Sequence, residues 1–214
     1  RDTSAALNST LKLDEVLDRV LENIEKVTTF DAAMVLMVEG HSVRKIRQLN
    51  KLQNSLSQGL TGNTQANFIN VPILQTIRET QQPYLILDTR ADTRWRAIPG
   101  MGWIRSLISA PVMIRGQVAG IINILSATPN AFMPSHAERL MVFAGQAAVA
   151  VENAQLFEQA YYLSVTDPLT ELTNRRHFFE VARFEFERTH RYPRTLSVMV
   201  IDIDGQGRVR LSRQ

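Results

Sequence analysis

Two apolar runs, Ser106 to Ile114 and Gln117 to Leu125, are separated by Arg115-Gly116 alone. So short a link cannot carry a parallel crossover, which needs roughly a dozen residues, and it therefore closes a β-hairpin. The hairpin confines the chain to folds built on an antiparallel sheet. Helices surround it in sequence.

Upstream, Leu13, Val16, Leu17, Val20, Leu21, Ile24 and Val27 recur at spacings of three and four, opposite Asp14, Glu15, Asp18, Glu22 and Glu25. That pattern predicts an amphipathic helix, ended by Phe30-Asp31. Ala33 to Val38 reads as a buried strand, Glu39-Gly40-His41 as a turn and Ser42 to Leu49 as a more polar strand. Asn50 to Asn70 is polar and reads as a long loop, of a length that tends to be functional or mobile. Pro72 opens a short helix carrying Ile73, Leu74 and Ile77; Tyr84 to Leu87 is a short strand, and Asp88 to Gly102 is irregular.

Ser135-His136-Ala137-Glu138 has capping-box spacing and starts a long helix running to about Tyr162. Leu140, Ala144, Ala147, Val151 and Ala154 stand at heptad spacing along it, continued by Tyr161 and Val165. Phe143, Ala150 and Phe157 widen the stripe. We expect this stripe to carry a parallel homodimer, with Phe157, Tyr161 and Tyr162 otherwise standing in water.

The texture changes at Asp167. Pro168 breaks the helix, Asn174 can cap a new helix to about His190, and Leu196 to Ile201 is an apolar strand ending in Asp202-Ile203-Asp204. One helix and one strand do not make a stable domain, so this is the beginning of one. The Arg1 start likewise suggests a piece of something longer, and residues 205–214 read as a frameshifted or artificial end that packs on nothing.

Composition excludes several chemistries. There is no cysteine, which removes disulfides, thiolate metal sites, thiol nucleophiles and thioether-linked cofactors, and fits a reducing, cytoplasmic setting. The net charge of +3 resides in residues 168–214, which hold nine Arg against six acids, so the rest is neutral and a nucleic-acid partner is not expected. No run approaches the ~18 uninterrupted apolar residues of a membrane span. His41, His136, His177 and His190 show no metal-ligand spacing and read as solvated.

The stretch ADTRWRAIPGMGWIRSLISAPVMIRGQVAGIINILSATPNAFMPSHAERL (Ala91 to Leu140), followed by AVAVENAQLF (Ala148 to Phe157), resembles a GAF domain over residues 11–157. DPLTELTNRRHF (Asp167 to Phe178) and VMVIDID (Val198 to Asp204) resemble the opening and first strand of a GGDEF diguanylate cyclase domain. That family usually has Gly where Glu171 stands and often Pro where Thr173 stands. The resemblance implies an α+β fold: a GAF-type antiparallel sheet with helices on both faces, a long signalling helix, and an incomplete second α/β domain. It divides the chain into an upstream linker remnant (1–10), the GAF domain (11–157), a helical linker (158–166), a truncated GGDEF start (167–204) and a non-family tail (205–214).

Trp95 and Trp103, flanking Pro99-Gly100, lie in the segment that closes over the ligand pocket in GAF domains; Ser106 and Asn123 could add polar groups from adjacent strands. These four are the candidate binding residues for a small molecule of unknown identity, with core anchoring as the alternative role. Asn50-Lys51 and Phe68 match the start of a cyclic-nucleotide GAF pattern, but Pro72 and Ile73 break it, and the match is treated as chance. Asp202 matches the GGDEF residue that binds magnesium on GTP, yet the aromatic–lysine run and the Gly-Gly-Glu-Glu-Phe signature are absent after it.

The function implied is a sensory, regulatory module of a bacterial signalling protein, coupled by a helix to a diguanylate cyclase that condenses two GTP into cyclic di-GMP. This chain itself is expected to be inactive. The competing readings are a purely structural dimerisation module and the sensor of a histidine kinase; Asp167 to Phe178, standing where a phospho-accepting helix would be, disfavours the latter.

Overall fold

A computed structural model describes residues 2–39, 42–51, 72–96, 101–191, 195–203 and 209–213. The turn expected at Gly40-His41, most of the expected loop over 50–70, Phe68, the Pro99-Gly100 turn and Asp204 lie outside these residues. The chain divides into two units, Arg1–Glu158 and Gln159–Gln214.

Unit 1 is an α+β sandwich. Helix α1 (Asp2–Val27) precedes strands β1 (Ala32–Glu39) and β2 (Ser42–Asn50); α2 (Pro72–Thr80) and β3 (Tyr84–Ile86) follow, then β4 (Ser106–Ile114) and β5 (Gln117–Ser126). Helix α3 (Pro134–Val165) starts in this unit and continues to the next. The strands form one sheet in the order β2-β1-β5-β4-β3, every neighbouring pair antiparallel. Arg115 and Gly116 both have positive φ (50° and 75°), the backbone that lets a two-residue turn follow the twist of its strands.

Alternation along the strands sends side chains to two cores. Ala33, Val35, Ile108, Ala110, Val112, Ile122 and Ile124 meet Leu17, Leu21 and Ile24 of α1 and Leu140, Ala144 and Ala147 of α3. On the other face Met34, Leu36, Leu107, Ile121 and Leu125 meet Ile73, Leu74 and Ile77 of α2. Helices thus cover both faces. At Gly120 the β1–β5 pairing is tight enough that an added Cβ would lie 2.5 Å from the Leu36 carbonyl oxygen.

Helix α1 begins at Asp2, upstream of the apolar stripe that starts at Leu13. A larger correction concerns α3. Leu140, Ala144, Ala147 and Val151, expected to face a second copy, are buried within unit 1. A stripe at three-and-four spacing suits a sheet as well as a partner helix, and here the chain's own core takes it. The exposed large apolar residues of α3 are Val142 (65 %), Val149 (61 %), Leu156 (46 %), Phe157 (47 %), Tyr162 (49 %) and Leu163 (65 %), and of these Val142, Val149, Leu156 and Leu163 stand each seven residues from the next. By length and composition α3 could cross a membrane, but its first half carries a face of the unit 1 core.

A half-buried latch fixes the segment after β3. Arg105 donates to both oxygens of Asp88, at 3.0 and 2.8 Å, and the Asp88 amide neighbour Thr89 donates its hydroxyl to the Ile104 carbonyl at 2.7 Å. The Arg105 guanidinium holds the Asp88 carboxyl below the usual carboxylate range. A folded-state value below the unfolded one gives stability that is full above the ordinary carboxylate pKa of about 4 and is lost as pH falls through the folded value. Asp88→Asn should therefore flatten the fall in melting temperature below about pH 4. An acid slope equal to that of the unmodified chain would contradict this.

Unit 2 contains the end of α3, then α4 (Arg175–Arg191), β6 (Met199–Ile203) and β7 (Val209–Arg213). Its first turn is tied by Asp167, whose Oδ1 accepts from the Thr170 amide (3.0 Å) and hydroxyl (2.9 Å). Asn174 caps α4 by accepting from the His177 amide at 3.0 Å, while its Nδ2 donates to the Ser164 carbonyl at 2.7 Å. Glu171 sits at φ 58°, a conformation that favours glycine, which accounts for the Gly usual at this place in GGDEF sequences. β7 pairs with β6 in antiparallel register, so residues 209–213 are not the unpacked tail expected of them. Val209 and Leu211 alternate with Arg210 and Ser212, which is strand patterning too short to stand out in sequence.

Candidate functional site

Strand β1, the β4–β5 hairpin, α2 and the segment before β4 line a half-open cavity of about 60 Å³. Met34, Leu36, Ile73, Leu74, Met101 and Ile104 supply much of its apolar wall, with Trp95 at its edge; Ser109 and Asn123 are its polar side chains. None of the described lining residues is charged.

Sheet register explains how polar groups come together here. Tyr84 pairs with Ser109, Ser109 with Asn123, and Asn123 with Met34, so three polar residues from β3, β4 and β5 form one row across one face. A plain two-residue hairpin would set Ser109 opposite Ile122. The bulge between Val112 and Met113 shifts the ladder by one and sets Asn123 there instead.

The row is incompletely satisfied. The Tyr84 hydroxyl and Asn123 Oδ1 are both buried with no hydrogen-bond partner among the described residues, and Ser109 is 3 % exposed. Burial pushes the Tyr84 hydroxyl pKa up, keeping it protonated and able to donate. The Arg94 guanidinium lies 4.8 Å from the Tyr84 ring centre and is held by the Asp92 carboxylate at 2.6 and 2.9 Å. Its charge is thereby compensated outside the cavity. Buried unpaired polar atoms cost on the order of 1–3 kcal/mol each, so such a row marks a place prepared for something that supplies their partners.

Of the four residues singled out from the sequence, Trp95 and Asn123 line the cavity. Trp103 packs beside it in the same core, its Nε1 buried without a partner. Ser106 is a correction. It points to the opposite face, with Ile108 and Ala110, and donates to the Thr128 carbonyl at 2.8 Å. Even and odd residues of β4 face different cores, and both faces are apolar, so alternation alone could not say which serine reached the cavity. Ser109 was missed for that reason, and its pairing with Asn123 because the bulge is not legible in the hairpin sequence.

Asp202 lies in β6 opposite Arg210 in register. Among the described residues no three His, Asp or Glu side chains cluster as a metal site would require.

Comparison with known proteins agrees with this architecture. The family model for the GAF domain matches residues 10–152, and that for the diguanylate cyclase GGDEF domain matches residues 164–208. No curated protein sequence matches. Among solved structures, a GAF domain/HD domain protein from Geobacter sulfurreducens superposes with a TM-score of 0.60 at 15 % identity, covering 73 % of this chain and 99 % of that one. The GAF domain of a two-component sensor histidine kinase from Bacillus halodurans gives 0.55 at 14 % identity, over 68 % and 97 %. A free methionine-R-sulfoxide reductase from Thermoplasma acidophilum gives 0.51 at 15 %, over 68 % and 96 %. At such identities these likenesses concern the fold alone; the family match carries the assignment. The chain, a signal-transduction sensor module with the start of a GGDEF domain behind it, belongs to the GAF domain family.

Proposed function

We propose that unit 1 receives a chemical signal at the Trp95–Asn123 cavity and that α3 passes it to a diguanylate cyclase domain beginning at Asp167, in a protein working as a homodimer in the cytoplasm. The observation that carries this reading is the helix itself. α3 runs unbroken from Pro134, beneath the sheet that floors the cavity, to Val165, two residues before the Asp167 turn. A packed helix moves as a body, so a small shift of the sheet reaches its far end rather than dissipating in a loop.

Cyclic di-GMP synthesis needs two GTP brought together, and a dimer through α3 would bring two output domains alongside each other. The partner surface is the exposed row Val142, Val149, Leu156 and Leu163, not the buried stripe. In a complete GGDEF domain Asp202 would be a carboxylate for magnesium; this chain, without the rest of that machinery, is the regulatory part.

Ser109→Leu tests the coupling without knowledge of the signal, because its larger side chain fills the cavity. We expect amide exchange over Tyr161–Val165 and at Thr170 to change by roughly threefold or more while the sheet stays protected. Unchanged exchange there in a folded variant would contradict a sensing role for the cavity.

A further inference from the structure

We propose that the cavity takes a small uncharged molecule with an apolar body and one O–H or N–H group, no larger than a phenol, held by the paired polar residues Ser109 and Asn123. The inference rests on the sensor reading only for its choice of cavity. Its chemistry comes from the lining.

Three features define the class. Asn123 Oδ1 is a buried acceptor without a donor, so the ligand must bring a hydrogen to it. The Ser109 hydroxyl, which lines the cavity directly opposite Asn123, can then donate to the same ligand group. Adjacent strands lie about 4.8 Å apart, so a single ligand hydroxyl between Ser109 and Asn123 can reach both.

Charge is excluded by the walls. None of the described lining residues is charged, and Arg94 is already bound to Asp92. An anion or cation would lose its hydration here with nothing to replace it. Size is bounded by volume: a 150 Å³ apolar cavity holds one benzene ring, and this one measures about 60 Å³. A single ring therefore enters only with movement of Met34 and Met101, whose unbranched side chains adapt their shape readily, and nothing larger is expected.

The test uses the full chain and three one-ring probes of similar size: phenol, toluene and benzoate. Binding is followed by calorimetry and by tryptophan fluorescence. We expect phenol to bind about tenfold or more tightly than toluene, because a buried row built to hydrogen-bond rejects an analogue lacking the hydroxyl, and benzoate not to bind. Asn123→Leu should remove the preference for phenol over toluene. Should that variant not fold, Ser109→Ala, which deletes one oxygen, should weaken phenol and leave toluene unchanged.

Equal binding of phenol and toluene, tighter binding of benzoate, or no binding of phenol (the row then being served by internal water) would each overturn the proposal. The sensor reading fails separately. Phenol binding with no change in α3 exchange in Ser109→Leu overturns that reading and leaves the ligand class standing. A response of α3 in Ser109→Leu without phenol binding does the reverse.

Discussion

Val151→Glu will unfold unit 1 rather than release a folded monomer. Val151 is 4 % exposed, on the same face of α3 as Ala144 and Ala147, which lie against the sheet and α1. Placing a carboxylate there strands a charge in an apolar core, at a cost of several kcal/mol or a strongly raised pKa. The shortened apolar packing adds to this. A domain of this kind has only about 5–15 kcal/mol in total, so the cooperative melt should vanish or fall by tens of degrees in circular dichroism. A folded variant with an unchanged melting temperature would show that Val151 faces outward.

The double substitution Val149→Glu with Leu156→Glu will have the opposite outcome: an intact fold and a lost dimer. Both side chains stand out from the helix, so no core contact is removed. With Val142 and Leu163 they repeat every seven residues, a period that keeps a seam facing a partner helix once the two supercoil. Leaving four such residues in water forgoes up to about 1.5–3 kcal/mol each, and an identical row on a second copy can cover them. A neighbouring groove lined by Leu13, Val16, Ala150 and Phe157 extends the apolar surface between α1 and α3. In sedimentation the unmodified chain should be a dimer at tens of micromolar, and the variant a monomer whose melting temperature moves by no more than about 2 °C. A monomeric unmodified chain would end the proposal.

Much of the fold was legible because several signals agreed. The Arg115-Gly116 turn, the apolar runs on either side of it and the Asn174 cap each stated a local structure that packing then kept, whereas α3 starts at Pro134, one residue before the capping box expected at Ser135, and its first turn is tied by the Met133 amide donating to His136 Nδ1 at 3.2 Å. The family resemblance was legible from the hairpin and from Asp167 to Phe178, and both domain matches fall there. What failed depended on more than one element. Leu140 to Val151 looked like a seam because a helix covering a sheet and a helix covering a partner share nearly the same spacing; only the tertiary structure shows which was used. The true outer row was passed over since Val142 and Val149 lie amid other apolar residues. At the cavity, Trp95 and Asn123 were found by residue type and place in the family pattern, whereas the pairing of Ser109 with Asn123 depends on a one-residue bulge that sets the register. Glu171 was visible as a departure, and its positive φ gives the departure a physical meaning.

In the proposed dimer α3 pairs in parallel with α3 of a second copy, so that two output domains are held side by side. A spin label at Glu138, which is exposed near the start of α3, measures this through the distance between the two labels in the dimer. Parallel pairing across Val142 to Leu163 places the two helix axes about 8–10 Å apart and the labels within roughly 25 Å of each other. Antiparallel pairing about the same row would separate the two positions by about 43 Å along the axis, from the 1.5 Å rise per residue. A single short distance is the predicted result, and a distance beyond about 40 Å, or no dipolar coupling at all, would contradict the account.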